Sequence, residues 1–202
     1  MTLHEKKSRG RPKLFDHDEV LEKTLKVFWE KGYEGASMAE LTTTLGLNKP
    51  SLYAAFGNKE ALFKQALARY LSGPVAFISI VMEAPTARKV AERFLFSSAE
   101  FLTSDQHPKG CLIVQGALSC GEGAEMIKQQ LIAYRKHYEG LLSERFKKAQ
   151  QNGDLSPDIS ALDLAKYLAT LHQGMSVQAV NGATQAELKG MIDVALLNWP
   201  SH

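Results

Sequence analysis

Apolar side chains recur at helical spacing along nearly the whole chain. After Asp16 they fall at Val20, Leu21, Val27 and Phe28, with Thr24 in the same row, which predicts a first helix ending at Gly32. Ser37 followed three residues later by Glu40 reads as a capping box, each side chain satisfying a free backbone N–H, and opens a short helix from Met38 to Leu45. Gly46 breaks it. Asn48 is placed to cap again, and Pro50 sits in a first turn where its missing N–H costs nothing. A third helix of barely two turns runs to Phe56; Gly57 ends it, and Asn58 caps a fourth whose inner face is Leu62, Phe63, Ala66, Leu67 and Tyr70.

Pro74 either kinks the fourth helix or starts a new one, because the apolar run after it has no clean period. Beyond Pro85 the periodic segments lengthen. One covers Thr86 to Thr103, a loop follows at Asp105 to Gly110, and a short segment spans Cys111 to Cys120. From about Glu125 to Gln151 the repeat predicts a helix of roughly 40 Å at 1.5 Å per residue. Ser160 with Asp163, and Thr184 with Glu187, predict the starts of two more, ending near Gly182 and Asn198. No strand alternation or internal repeat is present in the sequence, so the fold expected is all-α with about nine helices.

The 202 residues have an ordinary globular composition, 45% apolar and 23% charged, and a net charge of only +2, so bulk charge argues for no partner. Its distribution does. Residues 1 to 15 carry five basic side chains against one acid, whereas the last two thirds are close to neutral. A basic arm on a neutral body is expected where one end meets polyphosphate. The opening thirty residues contain no apolar run resembling a signal peptide, and the longest such run, Val75 to Met82, is too short to span a bilayer. With two cysteines and no export signal, a reducing cytoplasm is the expected location, with no membrane partner.

Two short helices joined by a tight glycine turn behind a longer helix match helix-turn-helix construction, in which the second short helix enters the major groove. The segments KGYEGASMAEL (31–41) and GLNKPSLYAAFGNKEALF (46–63) closely resemble the DNA-binding domain of the TetR family of bacterial regulators. The resemblance is strong over residues 14 to 70. Further on it rests on helix count and on the fragments KGCL (109–112) and GMSVQA (174–179), similar to a branch of the family with a basic N-terminal arm. It implies a basic arm (1–13), a three-helix DNA-binding domain (14–60) and a helical effector-binding and dimerisation domain (61–202). The function implied is a ligand-responsive dimeric repressor on a near-palindromic duplex operator.

The residues support a reader of this kind. Lys49, Ser51, Ala54 and Ala55 fall on the outward side of the third helix, opposite Leu52 and Phe56. Pro50 and the cap Ser37 stand beside them. Tyr53 offers a hydroxyl to phosphate, and Lys59 lies in a first helical turn that already favours an anion; in the resemblance both match positions that grip the DNA backbone. In the arm, RGRP places Arg9 and Arg11 as in an AT-hook lying along a narrow minor groove, or else as a plain basic tail attracting phosphate.

For the rest of the chain the resemblance implies that the last two long helices pair across a dimer, and Leu164, Leu168, Leu171, Met191, Ala195, Leu196 and Trp199 offer apolar surface for it, or complete the core of one chain. It also implies an effector cavity. Polar-tipped candidates for its wall are Gln115, Tyr134, His137, Tyr138, Tyr167, His172 and Met175, beside Phe94, Phe101 and Cys111; a His or Tyr on such a face is more often a hydrogen-bonded core residue than a ligand contact. Cys111 and Cys120 on one helix would stand on opposite faces, roughly 13 Å apart along the axis, too far for a disulfide. Both are then small buried apolar residues, or Cys111 is a reactive thiol, its thiolate favoured by helix amides and Lys109, as in TetR regulators that respond to electrophiles or oxidants. A DNA-binding protein without an effector is the remaining alternative. No GxSxG, HExxH, Walker or GxGxxG pattern is present, the six histidines are scattered, and no metal-ligand cluster or cofactor motif is found, so an enzyme is not expected.

Overall fold

The computed structural model describes residues 15–119, 121–197, 199 and 200. Among them are ten α-helices and no strand: α1 (His17–Gly35), α2 (Met38–Leu45), α3 (Lys49–Phe56), α4 (Lys59–Ser72), α5 (Phe77–Met82), α6 (Ala87–Leu102), α7 (Leu112–Ser119), α8 (Glu125–Gln151), α9 (Ala161–Val180) and α10 (Gln185–Leu197). A 3-10 turn, Glu122–Ala124, leads into α8. The tenth helix comes from Pro74, which starts a new element after the turn at Gly73 instead of kinking the old one. Gly32 interrupts α1 with φ +71°, so the regular helix stops where the sequence predicts and one further turn follows.

The helix starts are made locally. Asp16, Ser37, Asn48, Asn58, Thr86 and Ser160 each accept a first-turn N–H through the side chain. Thr184 and Glu187 form the full reciprocal box, with N–H to oxygen distances of 2.7 and 3.3 Å. Ser37 and Glu40 do not. Ser37 accepts from the Glu40 N–H at 3.1 Å, but the Glu40 carboxylate turns away to the Lys31 ammonium, an ion pair that takes the place of the second cap bond.

One apolar core runs from Val20 through to Trp199. α7 lies at its centre, touching α1, α8 and α9, while α6 packs on α9 and α10. Within Lys59–Met82 one 18-residue window is long and apolar enough to resemble a bilayer span by length and composition alone. The chain breaks at Gly73, however, and Leu62, Phe63, Ala66, Leu67 and Tyr70 are buried in the core, α4 lying against α1. The consequence for function is that α4, leading out of the reader, shares one core with the body.

Candidate nucleic-acid interface and interior cavity

Gly46 closes α2 in the left-handed region at φ +64°, with its N–H on the carbonyls of Thr42 and Thr43. Asn48 then accepts the Ser51 N–H at 2.8 Å and starts α3 after a two-residue link. Leu52 and Phe56 are buried, at 1% and 3% exposure, which fixes the rotation of α3. Lys49, Pro50, Tyr53 and Ala54 consequently face solvent, while Ser51 and Ala55 lie half-buried on its flanks, Ala55 packed against the core. Ser37 is exposed at the start of α2.

Cations flank this face. The Lys49 ammonium lies 5.5 Å from the centre of the Tyr53 ring. Lys59, in the first turn of α4, lies 4.6 Å from the Tyr33 ring; burial lowers its pKa, against the carboxylate of Glu34, which raises it. Tyr33 and Glu34 are thus neighbours that the sequence reading misses, although both belong to the KGYEG segment it quotes. Glu34 also accepts the backbone N–H of Gly121 at 2.9 Å, joining the end of α1 to the approach to α8. Arg9 and Arg11 lie outside the described residues.

Residues 20–66 match the family described as bacterial regulatory proteins, tetR family. Over 197 residues the chain is 33% identical to the HTH-type transcriptional repressor ComR of Escherichia coli K12, spanning 96% of this chain and 94% of that one. It is 32% identical to the regulator YezE of Bacillus subtilis 168, spanning 93% and 97%. Among solved structures it is similar to a cysteine-substituted form of the TetR family regulator CifR bound to 26-base-pair operator DNA, with a TM-score of 0.89, 40% identity, and coverage of 94% of this chain and 100% of that one.

The chain belongs to the TetR family. It is a DNA-binding transcriptional regulator and not an enzyme.

In this TetR regulator the interior candidates separate into those that meet and those that do not. Phe94, Cys111, Tyr138 and His172 line one mostly apolar cavity of about 50 Å³, together with Arg135, Glu139 and Gln173. On α8 the lining residues are 135, 138, 139 and 142, one helical stripe, and on α9 they are 169, 172 and 173. The same rotation excludes others. His137 is exposed and Tyr134 lies half-buried at the core edge; Tyr167 is 44% exposed on the outside of α9, and Met175 is fully buried in the core. Gln115 is packed beside Gly110, and Phe101 belongs with Trp29 and His107 to an open cleft of about 540 Å³ on another side. These six are corrections to the expected wall.

Cys111 is corrected in its chemistry. Its sulfur accepts a hydrogen bond from the Tyr70 hydroxyl at 3.2 Å, and its N–H donates to Ser176 Oγ at 2.9 Å. Burial pushes the thiol up; the Tyr70 hydroxyl, the Val114 and Ile113 N–H groups and the charge of Arg135 offset this only in part. The helix amides are present as expected, but Lys109 is turned to the Thr103 carbonyl at 2.7 Å and to Asp105. The group is a thiol, not a thiolate. Cys120 lies outside the described residues.

The expected dimer surface is also redistributed. Leu164, Leu168, Leu196 and Trp199 are buried within one chain, at 7% exposure or less, and Leu171 and Ala195 are half-buried; of the set only Met191, at 36%, is exposed. The other large apolar residues left outside on these helices are Leu162, Tyr167, Val177 and Val180 on α9, and Val194 and Leu197, 64% and 79% exposed, on α10. Gly174 and Gly190 lie on the same outer sides, and a Cβ at either would meet nothing within 4 Å.

Proposed function

We propose that this regulator is a homodimeric repressor that binds a near-palindromic operator and releases it when a small molecule enters the interior cavity. On this reading residues 1–13 are the arm, 14–60 the reader and 61–202 the sensing and pairing part, acting in the cytoplasm. Lys49, Pro50, Ser51, Ala54 and Ala55 are the groove-facing set, and Ser37, Tyr53 and Lys59 hold phosphates, with the small alanines permitting close approach. Arg9 and Arg11 enter the adjoining minor groove, an arginine gaining most where that groove is narrow.

The observation that carries the reading is the outward face of α3, set by Leu52 and Phe56 beneath it. Support for pairing is the exposed apolar strip on α10, where Val194 and Leu197, 64% and 79% exposed, lie on the side that carries Gly190. Support for an effector is that Cys111 lines the cavity while its sulfur accepts a hydrogen bond from Tyr70 on α4, the helix that leads out of the reader. A hundredfold loss of operator affinity needs about 2.7 kcal/mol of coupling, within reach of a small repacking there.

Selection of bound duplex from a random pool, followed by a ligand panel scored for release, tests the whole reading. A palindromic consensus with half-sites about 34–36 Å apart is the expected result. Binding as a monomer to non-symmetric sites overturns the dimer, and no release by any ligand or thiol reagent leaves a regulator without an effector.

A further inference from the structure

The cavity contains a hydrogen-bond donor whose direction can be worked out. His172 on α9 places Nδ1 3.0 Å from Ser98 Oγ on α6. Ser98 is fully buried, and His172 is the only hydrogen-bond partner its hydroxyl has among the described residues. A buried hydroxyl that only accepts would leave its own proton orphaned, so Ser98 donates and Nδ1 accepts. The ring proton is then on Nε2, which has no partner among the described residues, on a ring that lines the cavity. The ring stays neutral because burial pushes its pKa down to about 4.

Charge in the wall is balanced. Arg135 and Glu139, one helical turn apart on α8, both line the cavity, and neither has an ion-pair partner among the described residues. A ligand carrying net charge would therefore lose hydration without a compensating excess of opposite charge. The remaining wall is apolar, from Val75, Ile78, Ile113 and Leu142, and the free volume of about 50 Å³ admits only a compact molecule, with some displacement of side chains.

We infer that the cavity takes a compact uncharged carbonyl compound, its oxygen accepting from the Nε2–H of His172 and its apolar body packed against α5, α7 and α8. The inference rests on the effector reading above and names its ligand class. The Ser98 hydroxyl acts as the positioning group: it holds the imidazole in the tautomer that donates inward.

The full-length chain tests this with two probes of one shape, cyclopentanone and methylenecyclopentane, which differ in the acceptor oxygen. Nitrogen-15 spectra of the histidine rings read the tautomer, and titration of those spectra reads binding. Expected are an Nε2–H tautomer for His172 that persists from pH 8 to pH 5, ketone binding at least tenfold tighter than the alkene, and loss of that preference in His172→Phe. Ser98→Ala, which keeps the ring, should mix the tautomers and reduce the preference. An Nδ1–H tautomer in the parent protein, or equal binding of the two probes, overturns the carbonyl inference and leaves the cavity as an effector site. Binding of neither probe, with the Nε2–H tautomer observed, overturns the cavity reading together with it.

Discussion

The indole N–H of Trp29 donates to the carbonyl of Gly110, 3.2 Å away and 81 residues later in the chain. Trp29 also meets Tyr70 edge-on at 4.7 Å and stacks on His107 at 4.5 Å. Gly110 precedes Cys111, whose sulfur is bonded to Tyr70, so one turn ties α1 and α4 to the cavity wall. Trp29→Phe keeps most of the ring packing and leaves a buried carbonyl unpaired. A loss of about 1–3 kcal/mol in urea unfolding is expected; an unchanged midpoint would mean the bond carries no stability.

Gly110 itself has φ +80°, and a Cβ there would meet the Gln115 amide and come within 2.7 Å of Val180 Cγ2. Gly110→Ala therefore combines backbone strain with a steric clash and should cost more than about 2 kcal/mol. Gly153→Ala, at φ +73° but with open space around it, supplies the comparison with strain alone. Equal losses at the two sites would show that the clash is relieved by movement of Gln115.

For the interface, Lys59→Ala should weaken binding to every duplex and reduce the slope of log affinity against log salt by about one, since one phosphate contact is lost. Tyr53→Phe removes an uncharged hydroxyl, so a loss of about 1 kcal/mol with no change of slope is expected. Fluorescence anisotropy at four salt concentrations reads both. An unchanged slope in Lys59→Ala would move that lysine out of the proposed contact.

Pairing is tested on the outer side of α10. Val194→Asp places a carboxylate on a 64% exposed position and should leave the folded chain intact while producing monomers in sedimentation. Leu168→Ala, at a position fully buried in one chain, should instead lower stability by about 2–5 kcal/mol. A dimer that survives Val194→Asp would place the interface elsewhere.

His172 gives the fold a pH dependence with a defined sign. Its folded pKa is about 4 against an ordinary 6.5, so between these values the unfolded chain binds a proton that the folded chain refuses. Stability contributed by the neutral ring is complete above pH 6.5 and falls as the pH drops toward 4, by up to about 3 kcal/mol. His172→Gln should flatten the urea midpoint across that window. A parent protein equally stable at pH 7.5 and pH 4.5 would contradict the burial of the ring.

The buried thiol predicts slow chemistry. In a Cys120→Ser background, Cys111 should react with an aromatic disulfide reagent at least about 100-fold more slowly in the folded chain than in urea, because attack requires a thiolate and access. Reaction as fast as in the unfolded chain would restore the thiolate reading.

Helix order, caps and the inward row of each helix follow from the chain alone, because each depends on residues within about four positions of one another. Asn48 caps Ser51, Leu52 and Phe56 face in together, and Gly46 and Gly57 stop two helices; these suffice to place Tyr53 and Ala54 outward. The charged and polar pairings depend on distance in space instead. Glu40 turns to Lys31, Arg135 and not Lys109 lies by Cys111, and Ser98 reaches His172 from 74 positions away. On α9 and α10 apolar residues occupy more than one face, so period alone cannot say which meets the core; the packing of α6 against both decides it. Leu164 and Leu196 consequently face in, and Val177, Val194 and Leu197 are left outside.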